Sequence, residues 1–499
     1  MKDDLNKDNP DPKPTSGQLF RSVFPSIMLP MFLAVVDQTI VSTALPAIAA
    51  SLGGVERVSW VVVAYLVAGT IAAPVYGQLR DVYGGRRMMF LALAIFLGAS
   101  LFCAMATSIE MLTIGRILQG LGGGGLMTLT QALIGEAIPP RDRARYQGYL
   151  AGVAVSSSTF GPVVGGLLTQ HFGWRSIFLV NLPLGLIALL MTLRLEQRPG
   201  RQHAWSFAGM GLVLFIAFIV PLLLALQEAQ RMSASALPSF LVLMGVCIAA
   251  LLALIFREKR AIYPLLPIHL LRQPTIWRSD ALAACHGATL VSLITFLPIY
   301  LRVLRGASAS ETGLLLLPLM FGVGGGSMVT GRVVSRTGLT TIFPSVGLIV
   351  AATCLLLLGL FAGHLGTREL ALYLFVTGLF MGTVMGVVQV TVQNAAGSAS
   401  LGSAAASVQL SRSIGAGVGT ALVGTVLFAT VSLSDPEAAN LFATLVQQGP
   451  STLGALPAER QAMILSEVAV AFRNAFLTIA VFAGVGALLA WTIPTRRLS

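Results

Sequence analysis

The chain has 499 residues, of which 55% are hydrophobic and only 10% charged. A soluble domain carries about 25% charged residues, so composition excludes a soluble protein and assigns the chain to a membrane. The net charge of +12, from 32 basic and 20 acidic residues, does not point to nucleic acid, because the basic residues fall in short loops rather than on one contiguous face.

In chain order, residues 1–19 form a polar, Pro-containing tail, expected to be loosely attached. No short apolar region with a small-residue cleavage site follows it, so the first span itself directs insertion. Fourteen apolar runs then come near the ~20 residues that a membrane helix needs. They centre on 22–50, 58–79, 88–108, 111–137, 146–170, 175–193, 204–227, 237–256, 279–301, 311–331, 338–362, 369–392, 404–431 and 474–493. Runs this long exclude a β-barrel, whose strands alternate over about 10 residues. The expected fold class is an all-α integral membrane protein. The boundary between the twelfth and thirteenth runs is the softest, since 370–411 holds no charged residue.

With the N-terminus inside, 22 of the 32 basic residues fall on the inner side, 8 on the outer, and Arg116 and Arg412 lie within spans. That bias places both termini in the cytoplasm. Four cysteines, Cys103, Cys247, Cys285 and Cys354, sit in or near different spans without CxxC spacing and read as small apolar residues. No nucleophile–base set, metal-ligand cluster or cofactor fingerprint is present, so an enzyme is not expected.

The loop after the second run reads Gly77-Gln-Leu-Arg-Asp81-Val-Tyr-Gly84-Gly-Arg86-Arg87, and the one after the tenth reads Gly331-Arg-Val-Val-Ser335-Arg-Thr-Gly338. This echo predicts two similar six-helix halves related by an axis along the membrane normal. The expected division is a cytoplasmic tail at 1–19, an N-terminal bundle at 20–195, a linker and two-helix insert at 196–260, and a C-terminal bundle at 261–499. The last carries an extracytoplasmic loop at 432–473. Within that loop ILSEVAVAFRNAF is apolar near helix period, either a covered helix in a long connector or a segment lying on the outer leaflet.

Asp37 is the only charged residue between Ser22 and Val55. An ionised side chain at membrane depth costs roughly 2.5 kcal/mol or more, so such an acid either serves transport or braces a neighbouring helix. Arg116, within the fourth run, raises the same choice between function and a structural tie. Burial and a nearby guanidinium act in opposite directions on an acid's proton affinity, and Gln119, three residues after Arg116, shares its helix face. Gly122–Gly125 and Gly322–Gly326 lie in spans and no Lys-Ser/Thr follows them, so neither is a phosphate loop. Transport must then draw on an ion gradient. Glu136 and Asp280 lie near cytoplasmic ends, where hydration is expected, and His286 reads as a packing residue.

The stretch Leu33-Ala-Val-Val-Asp37-Gln-Thr39-Ile-Val-Ser-Thr-Ala44-Leu45-Pro46 resembles the first-helix signature of the fourteen-helix drug:proton antiporters of the major facilitator superfamily. The Gly77–Arg87 loop and Arg116-Ile-Leu-Gln119-Gly120-Leu-Gly122-Gly123 resemble superfamily motifs of the second loop and fourth helix. Gly148, Gly152 and Gly161-Pro162-Val-Val-Gly165-Gly166 resemble the fifth-helix antiporter motif, with Ser157 in place of its middle glycine. Trp174-Arg175 through Asn181-Leu-Pro183-Leu-Gly185, and Ser411-Arg412-Ser-Ile-Gly415, also match in order.

The resemblance implies a major facilitator fold in which the first and fourth helices face a central cavity. Asp37 and Arg116 become the proton-coupling pair, and Gln119, Thr39 and Arg412 candidates for the cavity or substrate. Arg412 either lines the cavity or pairs with backbone. Gly77, Asp81, Gly84, Arg86 and Arg87 become the cytoplasmic gate, with Asp81 accepting from the thirteenth helix near Ser400–Ser403. Val82 and Gly85 replace basic residues of that motif, leaving Arg86 and Arg87 for its charge contacts.

The resemblance further implies proton-coupled efflux of amphipathic or lipophilic compounds across the inner cell membrane. The expected partners are protons, small molecules and the bilayer, with no cofactor and no nucleic acid. A monomer is expected, with an envelope adaptor left open. A transporter of one metabolite or lipid and a non-transporting membrane sensor stand as alternatives.

Overall fold

The computed structural model describes residues 24–53, 57–196, 209–231, 237–261, 264–266, 268–434, 441–442, 445 and 457–497. The tail at 1–19, residues 197–208 of the linker and insert expected at 196–260, and most of 435–456 lie outside them. Among the described residues the fold is helical. In chain order the long helices are α1 Phe24–Leu52, α2 Trp60–Tyr83, α3 Gly85–Ala104, α4 Ile109–Ala137 and α5 Pro140–Phe172. Next comes α6, Ser176–Thr192, in two pieces that meet at Val180. The insert helices follow, α7 Gly209–Arg231 and α8 Leu237–Arg260. A one-turn helix, Ile268–Leu271, leads into α9 Pro274–Arg305, then α10 Ala309–Thr337, α11 Ile342–Phe361, α12 Thr367–Ala396, α13 Leu401–Ser434 and α14 Ala458–Thr492. Twelve helices in the described residues are long and apolar enough to cross a membrane. The other two are the Gly-rich α4, which carries Arg116, and the short α6.

Apolar runs become helices because lipid offers the backbone no hydrogen bonds, and a helix satisfies its own. The ends are fixed locally. Ser108 Oγ accepts from Met111 N at 3.1 Å to start α4, and Ser308 with Glu311 forms a capping box at the start of α10. Gly84 alone separates α2 from α3; its φ of 88° lies where a side chain would be strained. At the soft twelfth-to-thirteenth boundary Gly397, φ 76°, turns α12 into a short 3₁₀ segment, Ser398–Ser400, that feeds α13.

Two elements differ from the sequence reading. The segment ILSEVAVAFRNAF is no separate surface helix: it forms the early turns of α14, which begins at Ala458 rather than near 474. Ile464, Val468, Ala471 and Phe472 are buried, and burying that apolar face is why the helix continues. Asp280, expected to be hydrated, is only 4% exposed.

Apolar side chains separate into two bundle interiors. One draws on α1–α6 alone, from Phe24 to Leu195; the other lies between Leu270 and Ile493. The halves meet through α5 against α10 and α2 against α13. These pairs exchange under the pseudo-symmetry: Gly331 and Gly402 each follow their counterparts, Gly77 and Gly148, by 254 residues. The insert helices pack on each other, and α7 lies against α2 and α13.

Several crossings need a missing Cβ. On Gly326 one would sit 1.9 Å from Leu379 O of α12, whereas on Gly98 it would meet nothing within 4 Å. Gly326→Val is therefore expected to lower stability by about 1–3 kcal/mol in thermal unfolding of the detergent-purified protein. Gly98→Ala should leave the transition in place.

Candidate functional site

Five helices converge on Asp37, near the middle of α1. From α4, Arg116 Nη1 donates to Asp37 Oδ2 at 2.6 Å, and Gln119 Nε2 donates to Oδ1 at 2.8 Å. From α6, Asn181, just past the break at Val180, donates Nδ2 to the same Oδ1 at 2.7 Å. From α3, Ser100 Oγ accepts from Gln119 at 2.8 Å and Asn181 at 3.3 Å. From α2, Val61 O takes Arg116 Nε at 3.1 Å, and the Tyr65 ring lies 4.2 Å under the guanidinium. Arg116 Nη1 also meets Gln119 Oε1 at 2.6 Å. Asp37 is 1% exposed, and Arg116 and Gln119 are fully buried.

Glycines in α4 make room for this network. A Cβ on Gly123 would lie 2.2 Å from the Tyr65 hydroxyl, and one on Gly124 2.2 Å from Gly69 O. The close α2–α4 approach explains the Gly122–Gly125 run. In a low-dielectric interior the ion pair is held by its hydrogen bonds as much as by Coulomb attraction, and removing one partner leaves a buried charge uncompensated.

Gln119, expected as a cavity or substrate candidate, is instead bound into the network around the expected proton-coupling pair, Asp37 and Arg116. Both are sealed inside the N-terminal bundle, with partners drawn wholly from α1–α6. Thr39 is half-buried and serves a helix joint: its Oγ1 donates to Val36 O at 3.0 Å and to Ser157 O of α5 at 3.4 Å. Arg412 stands apart in the C-terminal half, its stem against Gly287 of α9 and its Nη2 bonded to Gln409 Oε1 at 2.9 Å.

The fifth-helix motif forms two contacts. A Cβ on Gly161 or Gly165 would collide with Thr39 or Thr43 of α1, and one on Gly148 with Ser327 and Met328 of α10. Thus α5 touches the Asp37 helix with one part and the other bundle with another. Ser157 is buried and bonds back to Val153 O at 2.8 Å. Pro162 and Gly166 are exposed, and a Cβ on Gly166 meets nothing within 4 Å, so no close approach requires that glycine.

At the face where α2 ends and α13 begins, Asp81 Oδ1 accepts from Gly402 N at 2.9 Å, and Oδ2 from Ser403 N at 3.0 Å and Ser403 Oγ at 2.9 Å. A carboxylate suits a helix N-terminus, where unpaired N–H groups carry partial positive charge. A Cβ on Gly77 would lie 2.7 Å from Gly402 O, so glycine lets α2 reach α13. Gln393 Nε2 donates to Gln131 O at 2.8 Å and Ser335 Oγ to Asp142 Oδ1 at 3.0 Å. Together these bonds close the molecule at this face. The guanidinium on Asp81 is Arg80, at 2.8 Å, which also pairs with Glu136; of the two basic residues expected to make the gate's charge contacts, Arg87 is exposed and Arg86 half-buried.

The family model for the Major Facilitator Superfamily matches residues 27–420. The chain belongs to that superfamily. It is a transporter family, and the chain is a multi-pass membrane transporter rather than an enzyme. The multidrug transporter protein MdtP of Bacillus subtilis is 32% identical over 405 residues, 80% of this chain and 74% of that one. An uncharacterized MFS-type transporter of Mycobacterium tuberculosis is 31% identical over 473 residues, covering 94% and 68%. The crystal structure of the human organic anion transporter MFSD10 superposes with TM-score 0.63 at 14% identity, covering 94% of this chain and 99% of that one; it attests the fold.

Asn181, Ser100, Tyr65 and Arg80 were not assigned roles from sequence. Asn181 carried a signal, as a lone amide in the apolar run of α6.

Arg116→Ala is expected to cost about 3–5 kcal/mol, read as an earlier melting transition in detergent, and Asp37→Asn added to it should restore part of the loss. Asp81→Ala removes the acceptor at the α13 start. It should speed labelling of a Ser407→Cys reporter by a water-soluble maleimide, relative to the reporter alone.

Proposed function

We propose that the chain is a proton-coupled exporter of amphipathic or lipophilic compounds, acting by alternating access in the cytoplasmic membrane. Both termini are assigned to the cytoplasm by the basic-residue bias, which makes the Asp81 face the cytoplasmic gate. The observation that carries this reading is the environment of Asp37. An acid sealed among apolar helices, with both oxygens hydrogen-bonded and a guanidinium at 2.6 Å, has two self-consistent states.

Ionised, Asp37 holds Arg116, Gln119 and Asn181. Protonated, it loses the charge attraction to Arg116, and either amide can rotate to offer its carbonyl to the new O–H. The change bears directly on α1, and α1 bears on α5 through Gly161 and Gly165. The Gly148 end of α5 lies on α10, so a shift of α1 has a packed route to the bundle interface. A membrane potential adds about 2.3 kcal/mol per charge per 100 mV, enough for one entering proton to drive a useful export gradient.

The driving force in this reading is the proton gradient, with no cofactor, and the working unit is a monomer. The name of MdtP supports small-molecule efflux. Amphipathic cargo is favoured because Met, Phe and Leu supply an adaptable apolar surface.

The test is reconstitution with an imposed pH gradient and a lipophilic dye, comparing the wild type with Asp37→Asn. The variant is expected to keep dye binding and lose gradient-driven accumulation. Full uphill movement with proton counterflow in the variant would overturn the role given to Asp37.

A further inference from the structure

A second acid is buried in the other half, and the mechanism above makes no use of it. Asp280 lies six residues into α9, 4% exposed. Its Oδ1 faces Ser407 Oγ of α13 at 3.4 Å, long for an O–H···O bond. Ser407 has a better acceptor in Ala404 O at 3.0 Å. Asp280 Oδ2 has no hydrogen-bond partner. The contrast with Asp37, which holds a guanidinium and two amides, is complete.

Among the described residues, the surrounding charged and titratable groups supply no counter-ion. On α9 itself, Arg278 donates to Thr492 O of α14, and His286 bonds Met381 O of α12 at 3.1 Å. On α13, Arg412 is bonded to Gln409. Residues 370–411, which span most of α12 and the start of α13, contain no charge. Past the end of α14, Thr495 meets Thr275 at 2.9 Å. An ionised carboxylate sealed in this way costs several kcal/mol, and a buried group avoids that cost by holding its proton.

Ser407 also lines a cavity of about 60 Å³, with Pro74 of α2, Leu265 and Leu266 ahead of α9, and Ser403 and Ala406 of α13. That volume admits water. Ser403 in its wall is the residue that donates to Asp81. Withdrawal of α13 from α2 therefore breaks the Asp81 bonds and opens the cavity that Ser407 lines, bringing water to the side chain that faces Asp280.

We propose that Asp280 is a second proton-binding site, linked to the Asp81 gate: it binds a proton when the gate closes and releases it to water when the gate opens. On opening, the carboxyl O–H bond breaks, its electron pair stays on the carboxylate, and the proton passes to water. The closed state binds the proton more tightly, so acid on this face favours closure and alkali favours opening. The proposal rests on the alternating-access reading, in which this face is cytoplasmic. It gives the exporter a return signal, since protons delivered inside drive the carrier back to the outward-facing state.

The test measures the gate itself, without cargo or gradient. Spin labels at Arg87→Cys and Arg336→Cys, both exposed and on opposite halves, report its width by pulsed EPR in nanodiscs between pH 5.5 and 8.5. The wild type should widen with rising pH. Asp280→Asn should stay closed throughout, and Asp280→Glu should keep a transition with a displaced midpoint. A wild type that does not move, or an Asp280→Asn protein that opens as the wild type does, overturns the proposal. If Asp280→Asn does not fold, an Asp280→Glu midpoint identical to that of the wild type overturns it. Failure of the Asp37 reading would appear in the vesicle assay and leave this distance measurement unchanged.

Discussion

The structure depends on how a carboxylate is held where neither water nor lipid can hold it. Asp37 is tolerable because α2, α3, α4 and α6 each bring a polar group to it or to its partners. Those groups arrive in the right places only if the helices approach closely. The small residues of α4 are therefore part of the electrostatics. Gly123 clears the Tyr65 hydroxyl, and Gly120 and Gly124 let α2 near enough for Val61 O to take Arg116 Nε. In lipid no hydrophobic force draws helices together, so packing and interhelical hydrogen bonds share that work.

The two halves repeat a backbone plan and distribute charge differently over it. Asp81 on the loop motif of α2 reaches the bare N–H groups at the start of α13. In the second half the matching position is Ser335, and the acid has moved to the receiving helix as Asp142. Both contacts are charge-assisted, but Asp81 accepts three hydrogen bonds from the start of α13, whereas Asp142 accepts one, from Ser335. The α2–α13 side also carries Arg80, which ties Asp81 to Glu136 at the end of α4. The stronger latch lies next to the insert helix α7, which packs on that same pair.

Much of the fold was legible because membrane helices leave a length signal that needs no tertiary context. The fourteen apolar runs each correspond to a helix, and the loop echo is realised in glycines that each face a carbonyl of the other half, Gly77 that of Gly402 and Gly331 that of Ala144. Depth and partners were less legible. Asp280 was read as hydrated because a place near a helix end sets its distance from the surface, whereas its burial is decided by α13 lying across it. Arg80 was passed over for Arg86 and Arg87, since a linear motif does not show that α2 turns only position 80 back toward Asp81. Asn181 stood visible in an apolar run, but its contact with Asp37 depends on the break at Val180, which aims the second piece of α6. The beginning of α14 was missed for a related reason: Glu467 and Arg473 interrupt an apolar run whose buried face continues through Ile464 and Val468.

Asp37 and Asp280 occupy different depths for a physical reason. Asp37 lies 13 residues from Phe24, about 20 Å along its helix at 1.5 Å per residue, deep in the N-terminal bundle. An ionised acid there needs a cation beside it, and Arg116 supplies it from within the same bundle. Asp280 lies six residues from Pro274, about 9 Å along α9, shallow enough that one neighbouring helix decides whether it is wet. An acid in that position needs no guanidinium. Its environment is set by the contact between α9 and α13, and α13 is the helix that Asp81 grips across the bundle interface.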